Sequence, residues 1–283
     1  MSTMSGARVP FYKLQGCGND FVAMDNRVLR LPQERMAEWA RRVCPRAFGV
    51  GADGLFFLEP APAGSGADAR WHFYNADGSR AEMCGNASRC AGRLIHSLGM
   101  AGERHVLLTD AGPVAIAVDP AAGLVKVQLT APRDLAMGIT VSALGHETTV
   151  HCVNTGVPHA VVLVDDVDEQ DVAAMGRALR FHERFAPAGT NVNFVQVLDR
   201  SHTRMRTYER GVEAETYACG TGACAVQVVL HALGMADAEL ANTTTGGEVL
   251  TTSLEGGRTY LKGAAELTFS GELNADALGL PLS

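Results

Sequence analysis

Two cysteines stand in nearly the same local sequence, half a chain apart. Cys84 sits in Ala-Glu-Met-Cys-Gly-Asn-Ala-Ser-Arg-Cys and Cys219 in Thr-Tyr-Ala-Cys-Gly-Thr-Gly-Ala-Cys-Ala. Each is a Cys-Gly-polar step leading into a helix-compatible run. A thiol at the first turn of a helix lies beside backbone N–H groups that have no intrahelical acceptor, at the positive end of the macrodipole. That environment favours thiolate, and the same N–H groups, from Gly85-Asn86 and Gly220-Thr221, make a site for a carboxylate. Two such thiols on opposite sides of one carbon can take a proton from one face and return it to the other. Reacting distances of about 3–3.5 Å on each side imply sulfurs roughly 6–7 Å apart, with the helix N-termini stabilising the developing charge. A lone cysteine near a helix is ordinarily a small buried spacer; the matched pair at repeat-equivalent positions points to function. Cys17, Cys44, Cys90, Cys152 and Cys224 keep the spacer reading.

The elements that must position these turns also occur twice. Residues 14–25 lie over 154–165, with Asn19 falling on His159. Residues 74–78 lie over 208–211, and 109–114 over 244–249, all at nearly constant offset. The period is far too long for a solenoid. Apolar or alternating runs at 106–109, 114–118, 125–129, 161–164, 194–198 and 248–254 read as strands punctuated by Gly and Pro. Helical patterns are fewer: 31–43, 87–98, 171–179 and 224–233. The expectation is an α+β chain of two pseudo-symmetric half-domains from an internal duplication. Each is a mostly antiparallel β-sheet or barrel around a central helix, with the active site in the cleft between them. The expected halves are 1–131, completed by the C-terminal segment 270–283, and 132–269, with the interruption at Pro132 to Gly138.

The chain of 283 residues is long enough for two cores, and 47% hydrophobic with 19% charged residues is ordinary for a globule. A net charge of −7 argues against nucleic acid, which requires clustered Lys and Arg. No apolar run reaches the length of a membrane span, and the start of the chain has no signal-peptide core; a cytoplasmic location is the expectation. Seven cysteines, an odd number, argue against a disulfide framework. Their spacing has no Cys-x2-Cys, so neither a metal site nor a thiol-redox motif is expected. No nucleotide, metal or pyridoxal motif is visible and no cofactor is expected. The expected partner is a small-molecule substrate; the one macromolecular partner this reading admits is a second copy of the chain, as a homodimer.

The chain resembles the diaminopimelate epimerases over nearly all its length. The matching segments are Gly-Cys-Gly-Asn-Asp-Phe (16–21), Gly-Val-Gly-Ala-Asp-Gly-Leu (49–55), Tyr-Asn-Ala-Asp-Gly-Ser with Cys-Gly-Asn (74–86), Gly-Val-Pro-His-Ala (156–160), Gly-Thr-Asn-Val-Asn-Phe (189–194) and Tyr-Glu-Arg-Gly-Val-Glu-Ala-Glu-Thr-Tyr-Ala-Cys-Gly-Thr-Gly-Ala (208–223). The resemblance implies interconversion of LL- and meso-diaminopimelate, without pyridoxal phosphate, in the supply of lysine and peptidoglycan precursors. It implies Cys84 and Cys219 as the acid/base pair, with His159 and Glu209 beside the thiols. Gly85, Asn86, Gly220 and Thr221 would hold the reacting carboxylate, and Asn19, Asn75, Asn191 and Arg210, with Glu209, the rest of the substrate. Two departures stand out: some members have Gln where this chain has Gly54 and Asn where it has Val157. The turn after Cys84 also reads Gly-Asn-Ala-Ser-Arg, where Gly-Asn-Gly-Ala-Arg is commoner. The rivals are a proline, hydroxyproline or histidine racemase of the same fold and a relative without catalysis, the latter disfavoured by the presence of both cysteines.

Overall fold

The computed structural model of the chain describes residues 7–280, and these divide into two compact units. The first runs through Val127 and resumes at Ala264; the second is Gln128–Gly263. In chain order the first unit carries β1 (Arg8–Gly16), β2 (Asn19–Asp25), α1 (Asn26–Leu29), α2 (Gln33–Val43), β3 (Gly54–Pro60), β4 (Ala69–Asn75), α3 (Gly85–Ser97), β5 (Arg104–Thr109), β6 (Gly112–Asp119) and β7 (Leu124–Gln128). The second carries β8 (Arg133–Ala143), β9 (His146–Asn154), β10 (Pro158–Leu163), α4 (Val172–Arg180), β11 (Asn191–Val197), β12 (His202–Glu209), β13 (Ala214–Thr216), α5 (Gly220–Ala232), β14 (Glu239–Thr243), β15 (Val249–Glu255) and β16 (Arg258–Ala264). A last strand, β17 (Glu266–Asn274), returns to the first unit and pairs with β1.

The pairing order repeats. In the first unit β17-β1-β2-β3-β4-β5-β6-β7 are joined antiparallel, antiparallel, parallel, antiparallel, parallel, antiparallel, antiparallel. In the second, β8-β9-β10-β11-β12-β14-β15-β16 follow the same series. The C-terminal strand β17 thus fills in one unit the place that β8 fills in the other. The hairpin strand β13, paired to β12, has its counterpart in the single bridge between Tyr74 and Arg80. The fold is mixed α+β with two similar halves.

Register corrects one detail of the sequence overlay. Tyr74 lies opposite Leu55 and Gly54 opposite Phe21; Tyr208 lies opposite Val192 and Asn191 opposite His159. With the two tyrosines equivalent, Gly54 corresponds to Asn191, Asn75 to Glu209, Phe21 to His159 and Asn19 to Val157. Asn19 therefore does not fall on His159. Matching the glycine turns and the terminal Asp residues slid that strand by two, which keeps each side chain on its own face and so leaves the apolar pattern undisturbed.

Each unit has one amphipathic helix and one helix buried nearly all round. On α2, Met36, Trp39, Ala40 and Val43 pack on Leu55, Phe57 and Tyr74, and on α4, Val172 and Leu179 pack on Val192, Phe194 and Tyr208. Helix α2 starts at Gln33 and not at 31, because Pro32 is its N-cap and biases Leu31 away from helix. Ten of the thirteen residues of α3 are buried, as are ten of the thirteen of α5. α3 packs against β1, β2, β5, β6 and β17, and α5 against β9, β10, β11, β14 and β15. These two helices begin earlier than their apolar runs suggest, at Gly85 and Gly220, directly after the two cysteines.

Candidate active site

Cys84 and Cys219 are the N-caps of α3 and α5. Both have extended backbones (φ −142°, ψ 122° and φ −120°, ψ 107°), and neither side chain caps its helix. The Cys84 carbonyl accepts from Ser88 N at 2.8 Å and the Cys219 carbonyl from Ala223 N at 2.9 Å. The first helical N–H groups, at 85–87 and 220–222, therefore precede the helical hydrogen-bond series and point out of the helix end, where a carboxylate is favoured. Cys84 is half-buried and Cys219 is buried. Burial pushes the Cys44 and Cys90 thiols up to about 12, and raises Cys152 as well.

In the first unit, the β1–β2 turn is closed by Cys17 (φ 57°) and Gly18 (φ 78°), a two-residue left-handed turn whose twist suits a hairpin. It sets Asn19 as the first residue of β2. Asn19 Oδ1 lies 4.0 Å from Cys84 Sγ and accepts from Asn86 Nδ2 at 3.2 Å. Both amide orientations are fixed from outside. Arg89, fully buried, can only donate; its Nη1 donates to Asn86 Oδ1 at 2.9 Å, which leaves Asn86 Nδ2 to donate to Asn19. At the other end Asn19 Nδ2 donates to Asp53 Oδ2 at 2.7 Å. Asp53 is held by Arg46, which also pairs with Asp20, and Lys13 pairs with Asp20 as well. Burial alone would raise the Asp20 carboxyl; its hydrogen bonds to Lys13 and Arg46 outweigh that and hold it low. Arg89 further donates to Ala264 O and to Cys17 Sγ. Asn75, exposed at the end of β4, donates to Ser79 Oγ at 3.0 Å.

In the second unit, His159 on β10 and Asn191 on β11 face each other across a parallel ladder. Asn191 Nδ2 donates to Pro158 O at 3.0 Å, and its Oδ1 accepts from Arg210 N at 2.8 Å, so the amide ties the ends of β10 and β12 together. Arg210 is half-buried, and its Nη1 donates to Ala188 O at 3.2 Å. Glu209 Oε2 accepts from Thr216 Oγ1 at 3.0 Å. Thr221 Oγ1 lies 3.5 Å from Cys219 Sγ, and the Thr221 carbonyl accepts from Thr155 Oγ1 at 2.9 Å. His159 is 1% exposed; burial first, then the Arg210 charge, push its imidazole down to about 3.

Within the first unit Asn19, Cys84 and Asn86 are brought into one hydrogen-bonded group. Within the second, Cys219 joins Thr221, and Asn191 joins Arg210. Sequence reasoning missed Asp53 and Arg89, which orient the amides of the first unit, and Asn193, which contacts His159 and crowds Gly222. A Cβ built on Gly222 would lie 2.3 Å from Asn193 Oδ1, so only glycine lets α5 seat there. Spacing could have found two of them. Asn193 is two residues from Asn191 on the same strand face, and Arg89 is three residues from Asn86 on one helix face.

The family model for diaminopimelate epimerase matches residues 11–134 and 151–268. A diaminopimelate epimerase of Aquifex aeolicus (strain VF5) is 44% identical over 277 residues, covering 95% of this chain and 99% of the relative. One of Hydrogenobaculum sp. (strain Y04AAS1) is 41% identical over 271 residues, covering 93% and 97%. Among solved structures, a Bacillus anthracis phenazine biosynthesis protein of the PhzF family superposes with a TM-score of 0.71 at 16% identity, over 94% of this chain and 99% of that one; that likeness shows the shared fold. With both Cys-Gly helix starts inside the matched segments, the chain belongs to the diaminopimelate epimerase family.

Proposed function

We propose that the protein epimerises LL-2,6-diaminopimelate to meso-diaminopimelate by a two-base proton transfer between Cys84 and Cys219. The observation that carries this reading is the duplicated N-cap cysteine: each unit places an extended Cys at the start of a buried helix. A 1,1-proton transfer needs a base on one face of the α-carbon and an acid on the other, and thiolate and thiol supply these when two such turns serve one substrate. The thiolate takes the α-proton and becomes a thiol, the electron pair delocalises into the substrate carboxylate, and the second thiol gives its proton to the opposite face. The N–H groups of Gly85-Asn86 and Gly220-Thr221 would hold that carboxylate and stabilise its extra charge. Asn19, Asn75, Asn191, Glu209 and Arg210 would hold the rest of the zwitterion, with Arg210 presenting a planar fork to the distal carboxylate.

The test is incubation of the purified protein with LL-diaminopimelate in D2O without added cofactor, following deuterium entry by NMR and stereoisomers by chiral chromatography. Deuterium enters the α-position as meso isomer appears, and Cys84→Ala and Cys219→Ala each abolish epimerisation with the circular dichroism unchanged. Full turnover by either alanine variant would sink the two-thiol mechanism. Comparable kcat/KM for proline or lysine would favour a broader racemase.

A further inference from the structure

His159 is an ionisable side chain of the proposed site whose protonation state the surrounding hydrogen bonds dictate. Its Nδ1 lies 3.1 Å from Asn193 Nδ2. Which end of the Asn193 amide faces the ring is settled by a third group. The same Asn193 atom lies 3.1 Å from the Ala160 carbonyl, which can only accept, so that atom is the amino nitrogen. The opposite end, Asn193 Oδ1, accepts from the Thr207 hydroxyl at 3.0 Å, and Thr207 stands directly across the β11–β12 ladder. Asn193 and Thr207 are both buried, so neither amide end has water to exchange with. The amino group has two hydrogens: one serves Ala160 O and the other points at His159 Nδ1.

Nδ1 must then be a lone pair, and the single ring proton must sit on Nε2. A proton added at Nδ1 would face an N–H donor across 3.1 Å, which works in the same direction as burial and the Arg210 charge. Nε2 is buried and has no hydrogen-bond partner among the described residues. An unanswered buried donor is destabilising, and one kept at a site calls for a group that answers it. Its complement is an acceptor, a carboxylate oxygen of the substrate or a thiolate sulfur.

We propose that Asn193 is a positioning residue that locks His159 in the Nε2–H tautomer, so that the imidazole serves the reaction as a neutral hydrogen-bond donor and neither takes nor gives a proton. This rests on the function proposed above. The lock reaches from β11 to β10 and is braced by Thr207 on β12. It also explains why α5 carries glycine at 222, since the oxygen end of the same amide occupies the space of a side chain there.

The experiment is two-bond 1H–15N correlation of the His159 ring in uniformly 15N-labelled protein from pH 8 to pH 5, with His159→Gln as assignment control. The expected pattern is Nε2–H with a pyridine-type Nδ1, unchanged across that range. Asn193→Asp replaces the donor by a carboxylate acceptor, so the proton moves to Nδ1 and the ring titrates within the range. A wild-type ring that is Nδ1–H, or that protonates near pH 6, overturns the proposal. In kinetics, His159→Gln retains an N–H donor near Nε2 and loses all basicity, while His159→Leu retains neither. The glutamine variant should keep at least roughly tenfold more kcat/KM than the leucine variant, the worth of one hydrogen bond to a charged group; equal losses would mean that the ring moves a proton. The tautomer is read without substrate. A protein that fails to epimerise diaminopimelate yet shows Nε2–H would therefore refute the proposed function alone.

Discussion

Because His159 is held neutral, acid should unfold the second unit in a way that one substitution can isolate. The imidazole has an ordinary value of 6.5 and is pushed down to about 3 by burial and by Arg210. Between those two values the unfolded chain binds a proton that the folded chain does not, so stability is full above pH 6.5 and falls as pH drops towards 3. Each pH unit inside the window costs about 1.36 kcal/mol. At pH 5 the His159 contribution is a loss of about 2 kcal/mol relative to pH 7. His159→Gln removes the titrating group, so the variant should lose about 2 kcal/mol less than the parent between pH 7 and pH 5, whatever its stability at pH 7. Urea titrations at the two pH values measure this directly. The signal should be far-UV circular dichroism, because both tryptophans, Trp39 and Trp71, belong to the first unit. His72, His105 and His151 are also lowered by burial and add their own acid sensitivity, but they are common to parent and variant and cancel. Parallel losses in the two proteins would refute a buried neutral His159.

Gly222→Ala should abolish activity and lower Tm, since its methyl would sit 2.3 Å from Asn193 Oδ1 and 3.3 Å from Cys219 Cβ; thermal melts and the deuterium assay report the two effects. Arg89→Met should free the Asn86 amide to rotate and leave Asn19 oriented by Asp53 alone, lowering kcat with helix content retained. The charge it removes is fully buried among Asn86, Cys17 and the Ala264 carbonyl, with no carboxylate among its hydrogen-bond partners. Arg210→Lys keeps charge and loses the fork, so kcat/KM for diaminopimelate should fall by about tenfold or more; steady-state kinetics decide.

The cysteines and their helix starts are legible in the sequence because N-cap chemistry is local: a Cys-Gly step before a buried run carries its own geometry. The duplication is legible for the same reason, being a repetition of turns and apolar runs. A return of the C-terminal segment to the first half was expected at 270–283; that the returning strand is β17, Glu266–Asn274, and that it takes in the first unit the place of β8 in the second, depends on pairing across most of the chain, which no local pattern encodes. The Asn19–His159 overlay failed because turn composition was matched while register is fixed by ladders from β2 to β3 and from β10 to β11. The protonation state of His159 was illegible too, since its determinants, Asn193, Ala160 and Thr207, lie on three strands. Arg89 resembled one more helix residue until its burial showed that it orients two amides.

Register also gives meaning to the two departures from the family pattern. Gly54 is the counterpart of Asn191, and Val157 is the counterpart of Asn19, so this chain carries one amide in each pair where members with Gln and Asn at 54 and 157 carry two. The two positions should respond differently to restoration. Val157 is half-buried in the turn before β10, and its side chain can be exchanged for an amide of similar size. Gly54 is closed: a Cβ there would lie 2.7 Å from the Phe73 ring and 2.9 Å from the Tyr74 carbonyl. Val157→Asn should therefore lower KM for diaminopimelate about fivefold with kcat little changed, the worth of about 1 kcal/mol from one added hydrogen bond. Gly54→Gln should lower Tm and leave KM no better, and Gly54→Gln with Phe73→Leu should recover part of the Tm, since the ring is the nearer obstacle and the carbonyl remains. Steady-state kinetics with thermal melts separate these outcomes. If Gly54→Gln alone lowered KM at unchanged Tm, Phe73 would not be what fills the place of the missing amide, and the correspondence drawn from the ladders would lose its structural reason.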